Sequence, residues 1–167
     1  MHLVSDEIYG NSIFPGENLD SIAKVMYDKS WITNYGYGSK ENLYMGEYVH
    51  VCAGFSKDLA INGFRVGTLF SHNKDLLEAL SSVGYFQTVS TYTQFLLTRI
   101  LEDEKWTFRW MNENKRRLKV CFDGLQDAMD AIGVPVTPCQ GTMMAWVDFR
   151  KYLREPKDAA AEKELWL

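Results

Sequence analysis

Cysteine, histidine and basic charge are all in short supply, and each shortage excludes something. The three cysteines, Cys52, Cys121 and Cys139, are too few and too scattered for a disulfide framework. Cys52 falls in an apolar run and Cys121 on the apolar side of a helical repeat, so both read as packing residues. The three histidines, His2, His50 and His72, lack the close spacing of a metal-ligand set, and no metal is expected. A net charge of −4 and a pI near 5.4 argue against a nucleic-acid partner, whose phosphates select basic patches. No apolar run approaches the roughly 18 residues of a membrane span, and no secretory leader is visible. The expectation is a soluble, cytoplasmic protein with no membrane partner. Internal repeats and low-complexity tracts are also missing.

What is present is globular composition: 167 residues, 46% hydrophobic and 24% charged. Strand-like runs alternate with helical repeats, which predicts an α/β fold. Met1 to Ser5 reads as a strand closed by Asp6 and Glu7, Tyr48 to Phe55 as a buried strand, and Phe64 to Ser71 as a third. Asp20 can cap a short helix carrying Ile22, Ala23, Val25 and Met26. Residues 28 to 46, rich in Tyr and Gly, read as a long surface excursion. Asn73 or Ser71 can cap a helix with Leu76, Leu77 and Leu80 that fades at Gly84, and Ser90 can cap another with Tyr92, Phe95, Leu96 and Ile100. From Asp103 to Ile132, apolar residues such as Leu118, Phe122, Leu125 and Met129 recur at helical spacing. Gly133 ends that helix and Pro135 cannot continue it. Lys115, Arg116, Arg117 and Lys119 read as its solvated face. Val134 to Thr137 and Thr142 to Asp148 read as strands around a turn at Pro138 to Gly141, and Lys157 to Leu167 as a helix.

The chemistry concentrates between Gly54 and Gly67. A lysine at the end of a buried strand is unusual, because burying an ammonium is costly. Ser56-Lys57-Asp58 alone would pass as a polar turn between strands. Lys57 followed by Arg65 inside Asn62-Gly-Phe-Arg-Val-Gly67 is more specific: a reactive amine close to a guanidinium that suits an anion. Ser5-Asp-Glu-Ile-Tyr9, Gly141-Thr-Met-Met-Ala-Trp-Val-Asp-Phe149 and Glu162-Lys-Glu-Leu-Trp166 accompany it in order. On these segments the chain resembles the class I/II pyridoxal 5′-phosphate enzymes of the aspartate aminotransferase fold. The nearest branch is similar to the 1-aminocyclopropane-1-carboxylate synthases and their synthase-like relatives.

The resemblance implies roles. Lys57 would be the catalytic amine that holds pyridoxal 5′-phosphate and later moves a proton at the substrate Cα. Asp6 would sit at the pyridine nitrogen and favour its protonated form, and Tyr9 would hydrogen-bond the phenolic oxygen. Arg65 would clamp the phosphate, with Ser56 donating to it. Gly54 departs from the pattern, since many relatives carry serine or threonine three residues before the lysine. Residues 1–102 would be the later part of the cofactor-binding large domain, and 103–167 a connecting helix and the beginning of a small domain. The implied substrate is an α-amino acid: S-adenosylmethionine for a synthase-like lyase, with an aminotransferase as the competing reaction. The whole protein would be a homodimer. The family's other phosphate contacts, its ring-stacking aromatic and its substrate-carboxylate arginine have no counterpart here. The expectation is an internal fragment of a larger enzyme, not competent alone, with a truncated non-catalytic remnant as the alternative.

Overall fold

The computed structural model describes residues 1–27 and 45–165, apart from the side chains of Tyr27 and Phe86. Of the proposed surface excursion at 28–46, residues 28–44 lie outside the described residues, and Met45 at its end is buried rather than on the surface. Three strands, β1 (Leu3–Asp6), β2 (Val49–Gly54) and β3 (Gly67–Ser71), form one mixed sheet in that order. β1 runs parallel to β2, with Leu3 opposite Val49 and Asp6 opposite Cys52. β3 returns antiparallel, with Gly54 opposite Gly67 and His50 opposite Ser71. The carboxyl ends of β1 and β2 and the start of β3 thus share one end of the sheet. The helices are α1 (Ile22–Tyr27), the single turn α2 (Phe55–Asp58), α3 (Lys74–Gly84), α4 (Thr91–Glu102), α5 (Glu104–Ala131) and α6 (Ala159–Leu165). None of them is long and apolar enough to cross a membrane.

Local signals account for most of the boundaries. Leu76 N–H donates to the Asn73 side chain at 2.8 Å, Thr93 N–H to Ser90 Oγ at 3.2 Å, and Trp106 N–H to Asp103 at 3.0 Å. Each cap satisfies an orphan donor of the first turn. Gly133, at φ +64°, closes α5 in the left-handed region where glycine carries no Cβ penalty. Asp20 behaves differently from the reading above: it pairs with Lys24, one turn along. Ile22 N–H instead donates to Glu7 Oε1 at 2.9 Å, and Ala23 N–H to Ser21 Oγ at 3.2 Å. Glu7 reaches α1 from just past the end of β1 and displaces the local candidate.

Pairing alternation puts Val4, Asp6, His50, Cys52, Leu69 and Ser71 on one face of the sheet. His50, 2% exposed, is bonded there on both ring nitrogens, to His2 at 2.8 Å and to Ser71 Oγ at 2.8 Å. Ser71 Oγ also accepts from Asn73 N–H at 3.0 Å, so the sheet's buried polar groups run straight into the α3 cap. Phe14 is buried against Phe122 of α5, ring centroids 5.3 Å apart. Met45, Val49, Leu59, Leu97, Val134 and Ala161 are the other buried apolar side chains among the described residues.

Three expectations are corrected. The stretches 134–137 and 142–148 are not strands; they meet through one isolated bridge, Val136 to Val147. Pro135 and Pro138 remove donors a ladder needs, and Thr142 at φ +76° leaves extended geometry. β3 begins at Gly67 rather than Phe64, because Asn62–Phe64 is a 3-10 turn. Cys121 is exposed, since its side of α5 is uncovered by the described residues. Leu77, Leu80 and Val83 of α3 and Tyr92, Phe95 and Leu101 of α4 are likewise exposed apolar groups.

Candidate functional site

Each candidate side chain sits where the chain leaves the same end of the sheet. β1 finishes at Asp6, and Asp6 Oδ1 accepts from Ile8 N–H at 3.2 Å, which turns the chain. Gly10 N–H bonds Glu7 O at 2.8 Å and Ser12 N–H bonds Tyr9 O at 2.9 Å, so residues 7–12 form a compact reversal. Asp6 and Tyr9 line one cavity of about 360 Å³ with Asn18, Asp20, Cys139 and Thr142. Gly141 closes it: a Cβ there would meet Ile13 Cα and Ser12 O, both at 2.7 Å, so only glycine fits.

Lys57 lies in α2, directly after β2 ends at Gly54, and Cys52 five residues before it is the register partner of Asp6. Ser56 and Lys57 are half-buried, and neither side chain has a partner among the described residues. Arg65 caps the 3-10 turn at φ +55°, two residues before β3, and its Nη1 donates to Asn62 O at 3.0 Å. Phe55 N–H donates to Val66 O at 3.3 Å, which draws the lysine turn and the arginine turn together. The register therefore collects Asp6, Tyr9, Ser56, Lys57 and Arg65 at one end of the sheet. Ser56, Lys57 and Arg65 do not line the Asp6–Tyr9 cavity. Among the described residues no cluster of His, Cys, Asp or Glu could hold a metal.

Two supporting residues escape a sequence reading. Asp58, taken there as part of a polar turn, is 6% exposed; its Oδ1 accepts from Ser12 Oγ at 2.6 Å and its Oδ2 from Asn11 N–H at 3.0 Å. Glu7 binds both Ser5 Oγ, at 3.0 Å, and the start of α1. The only sequence signal for Asp58 is a carboxylate beside a strand-end lysine; its partners lie 46 and 47 residues away. Gly54 also gains a reason. A Cβ there would come within 2.9 Å of Ile8 Cδ1 and 3.3 Å of Val66 O, so Ile8 packs where a longer side chain would begin.

The profile of the family described as aminotransferase class I and II matches residues 1–167. The chain belongs to this family. Among curated proteins, 1-aminocyclopropane-1-carboxylate synthase 9 of Arabidopsis thaliana is 34% identical over 166 residues, covering 99% of this chain and 33% of the relative. Synthase 4 of the same plant is 35% identical with the same coverage. The chain thus spans about a third of the length of the curated relatives it matches. Among solved structures, a Thermus thermophilus aspartate aminotransferase tetra mutant complexed with tryptophan superposes with a TM-score of 0.75 at 21% identity, over 99% of this chain and 38% of that one. A pyridoxal-phosphate-bound C-S lyase from Staphylococcus hominis superposes at 0.68 with 20% identity, over 91% and 34%. The α/β fold read from the sequence is that of the aminotransferase family.

Proposed function

We propose that this chain is the lysine-bearing part of a pyridoxal 5′-phosphate enzyme acting on an α-amino acid, in the manner of a 1-aminocyclopropane-1-carboxylate synthase-like lyase. The observation that carries it is the register: family-type residues Asp6, Lys57 and Arg65 lie at the carboxyl end of parallel strands, where α/β sheets bind ligands. The donor set fits the cofactor. It comprises an amine with no partner among the described residues, a carboxylate with one oxygen engaged, a phenol beside it, and a guanidinium held by its own turn.

On this reading Lys57 would hold the cofactor and, once freed, would move the proton at the substrate Cα. Arg65 and Ser56 hold the phosphate, Arg65 through a planar fork suited to its oxygens. Asp6 would serve the ring nitrogen and favour its protonated form, and Tyr9 would donate to the phenolic oxygen. Bound there, pyridoxal phosphate supplies an electron sink for a carbanion at Cα. The preference for a lyase over an aminotransferase rests on the named synthase relatives at 34% and 35% identity, and S-adenosylmethionine as substrate on the family resemblance of the sequence. The domain division proposed is 1–102 and 103–167; the non-helical backbone of Asp103 between α4 and α5 supports it. Exposed Tyr92, Phe95 and Leu101 on α4 support a homodimer of the whole protein. The free thiols Cys52, Cys121 and Cys139 suit the reducing cytoplasm.

The test is turnover by the full-length protein that carries this chain. The expected result is cofactor-dependent elimination from S-adenosylmethionine, abolished by Lys57→Ala. Amino-group exchange with 2-oxo acids instead would assign the aminotransferase reaction. Neither activity, with cofactor bound, would leave the non-catalytic remnant.

A further inference from the structure

We infer that Asp58 is the positioning residue for Lys57: its buried carboxylate ties the lysine turn to the loop that follows Asp6 and Tyr9, and so sets where the amine stands relative to them. This rests on the reading of Lys57 as the cofactor amine.

A single helical turn has no stability of its own, because nucleation fixes several dihedrals for one hydrogen bond. α2 is such a turn, of four residues, and its N-cap Gly54 offers no side-chain cap. Something outside must hold it. Phe55, Ser56 and Lys57 are only half-buried, whereas Asp58 is 6% and the following Leu59 7% exposed. Leu59 anchors the turn through apolar contact, which is not directional. Asp58 supplies direction: Ser12 O–H at 2.6 Å on one oxygen and Asn11 N–H at 3.0 Å on the other. Bonds of this type to a carboxylate are short and strong.

The partner loop is itself rigidly tied. Ser12 is 0% exposed, its N–H bonds Tyr9 O at 2.9 Å, and its carbonyl accepts from Thr142 N–H at 2.7 Å. A continuous path therefore runs from Asp6 through Tyr9 and Ser12 to Asp58, and from there through one peptide to Lys57. The other links between the segment from Asp6 to Ser12 and the β2–lysine stretch lie in the sheet or beside it: the β1–β2 ladder, Glu7 N–H to Cys52 O at 2.8 Å, and Ile8 beside Gly54. The ladder fixes the strands but not the direction of the turn beyond them.

The test uses the full-length protein with pyridoxal 5′-phosphate, in wild-type, Asp58→Ala, Asp58→Asn and Ser12→Ala forms. Borohydride trapping and peptide mass mapping first report whether the cofactor sits on Lys57. The informative readouts are the circular dichroism and pH midpoint of the cofactor's visible band, and kcat and KM measured separately. With the cofactor on Lys57, Asp58→Ala should lower kcat on the order of 10- to 100-fold with a smaller change in KM, because misplacement of about 1 Å is that costly. The visible dichroism should fall while trapping at Lys57 persists. Asp58→Asn, which keeps the shape and one acceptor, should recover part of kcat. Ser12→Ala should shift the same readouts in the same direction by less. If Asp58→Ala fails to fold, Ser12→Ala decides alone. A folded Asp58→Ala or Ser12→Ala protein with dichroism, midpoint and kcat all within twofold of wild type overturns the inference. Trapping at a lysine other than Lys57 in the wild type defeats the cofactor reading itself, and the inference with it.

Discussion

Replacing Gly54 by serine supplies the side chain that the family resemblance leads one to expect three residues before the lysine, and the structure says what it should cost. The backbone is no obstacle, since Gly54 lies at φ −171°, an extended conformation any residue adopts. The space is the obstacle. The new Cβ would lie 2.9 Å from Ile8 Cδ1, closer than side chains tolerate, and 3.3 Å from Val66 O. The first contact is the tip of a flexible side chain and can rotate away; the second is backbone at the start of β3 and has little room to give. Overpacking of this kind costs about 1–3 kcal/mol. The lower half of that range applies, because Ile8 can move. Ile8→Val removes the clashing Cδ1 at about 0.5–1.5 kcal/mol on its own. In the pair, the clash that makes Gly54→Ser unfavourable is gone. The double variant should therefore be more stable than the sum of the single effects by about 1 kcal/mol, a coupling well above additivity error. Chemical denaturation of the four proteins of the cycle measures it, with m-values checked for constancy. A coupling near zero would show that Ile8 does not occupy the Gly54 site and that the departure from the family pattern has another cause.

Further expectations follow from other positions. Gly141→Ala drives a Cβ into Ile13 Cα and Ser12 O, both at 2.7 Å and both backbone, so nothing nearby can rotate away. It should destabilise by about 3 kcal/mol or more and widen the Asp6–Tyr9 cavity; a loss under about 1 kcal/mol in a denaturation series would refute that packing. Asn73→Ala removes the α3 cap and should cost about 1 kcal/mol. Its helix amides should exchange faster in the first turn only, and uniform protection would argue against the cap. Glu113 is held at about 2, below the ordinary 4.5, by hydrogen bonds from Arg116 and Arg117. A depressed carboxylate stabilises above its ordinary value, and that contribution fades as pH falls from about 4.5 through about 2. Carboxyl NMR titration should find the low midpoint, rising in Arg116→Ala; a midpoint unmoved by that change would refute the pairing. Because the pair is solvent-screened, its share of stability is small.

The parts of the fold legible in the sequence are those with local causes. Asn73 and Ser90 accept from amides three residues on, and Gly133 ends a helix, so propensity and spacing suffice to find them. β2 is legible because its apolar run forms the central strand, paired with β1 and β3. The misses have distant causes. Glu7 takes over the start of α1 from 15 residues away, ahead of the adjacent Asp20. The stretch from Val134 to Asp148 carries strand-forming residues, yet prolines and the positive φ at Thr142 leave only a bridge. Cys121 lies on the apolar stripe of α5, but burial depends on what covers the stripe. At the site, Lys57 and Arg65 stand out by motif, and Asp6 and Tyr9 only through the family resemblance. Asp58 does not, because its role exists only once residues 11 and 12 fold against it.

The central claim is that Lys57 is the amine this fold reserves for the cofactor, and selective covalent trapping tests it most directly. The full-length protein is incubated with pyridoxal 5′-phosphate near stoichiometry, reduced with borohydride, digested and mapped by mass spectrometry. The account predicts one dominant adduct, on the peptide containing Lys57, at a level far above exposed lysines such as Lys24 and Lys105. Asp6→Ala and Arg65→Ala should each weaken that selectivity, while Lys57→Ala abolishes it. Label spread evenly over surface lysines, with Lys57 no more reactive than Lys24, would contradict the account.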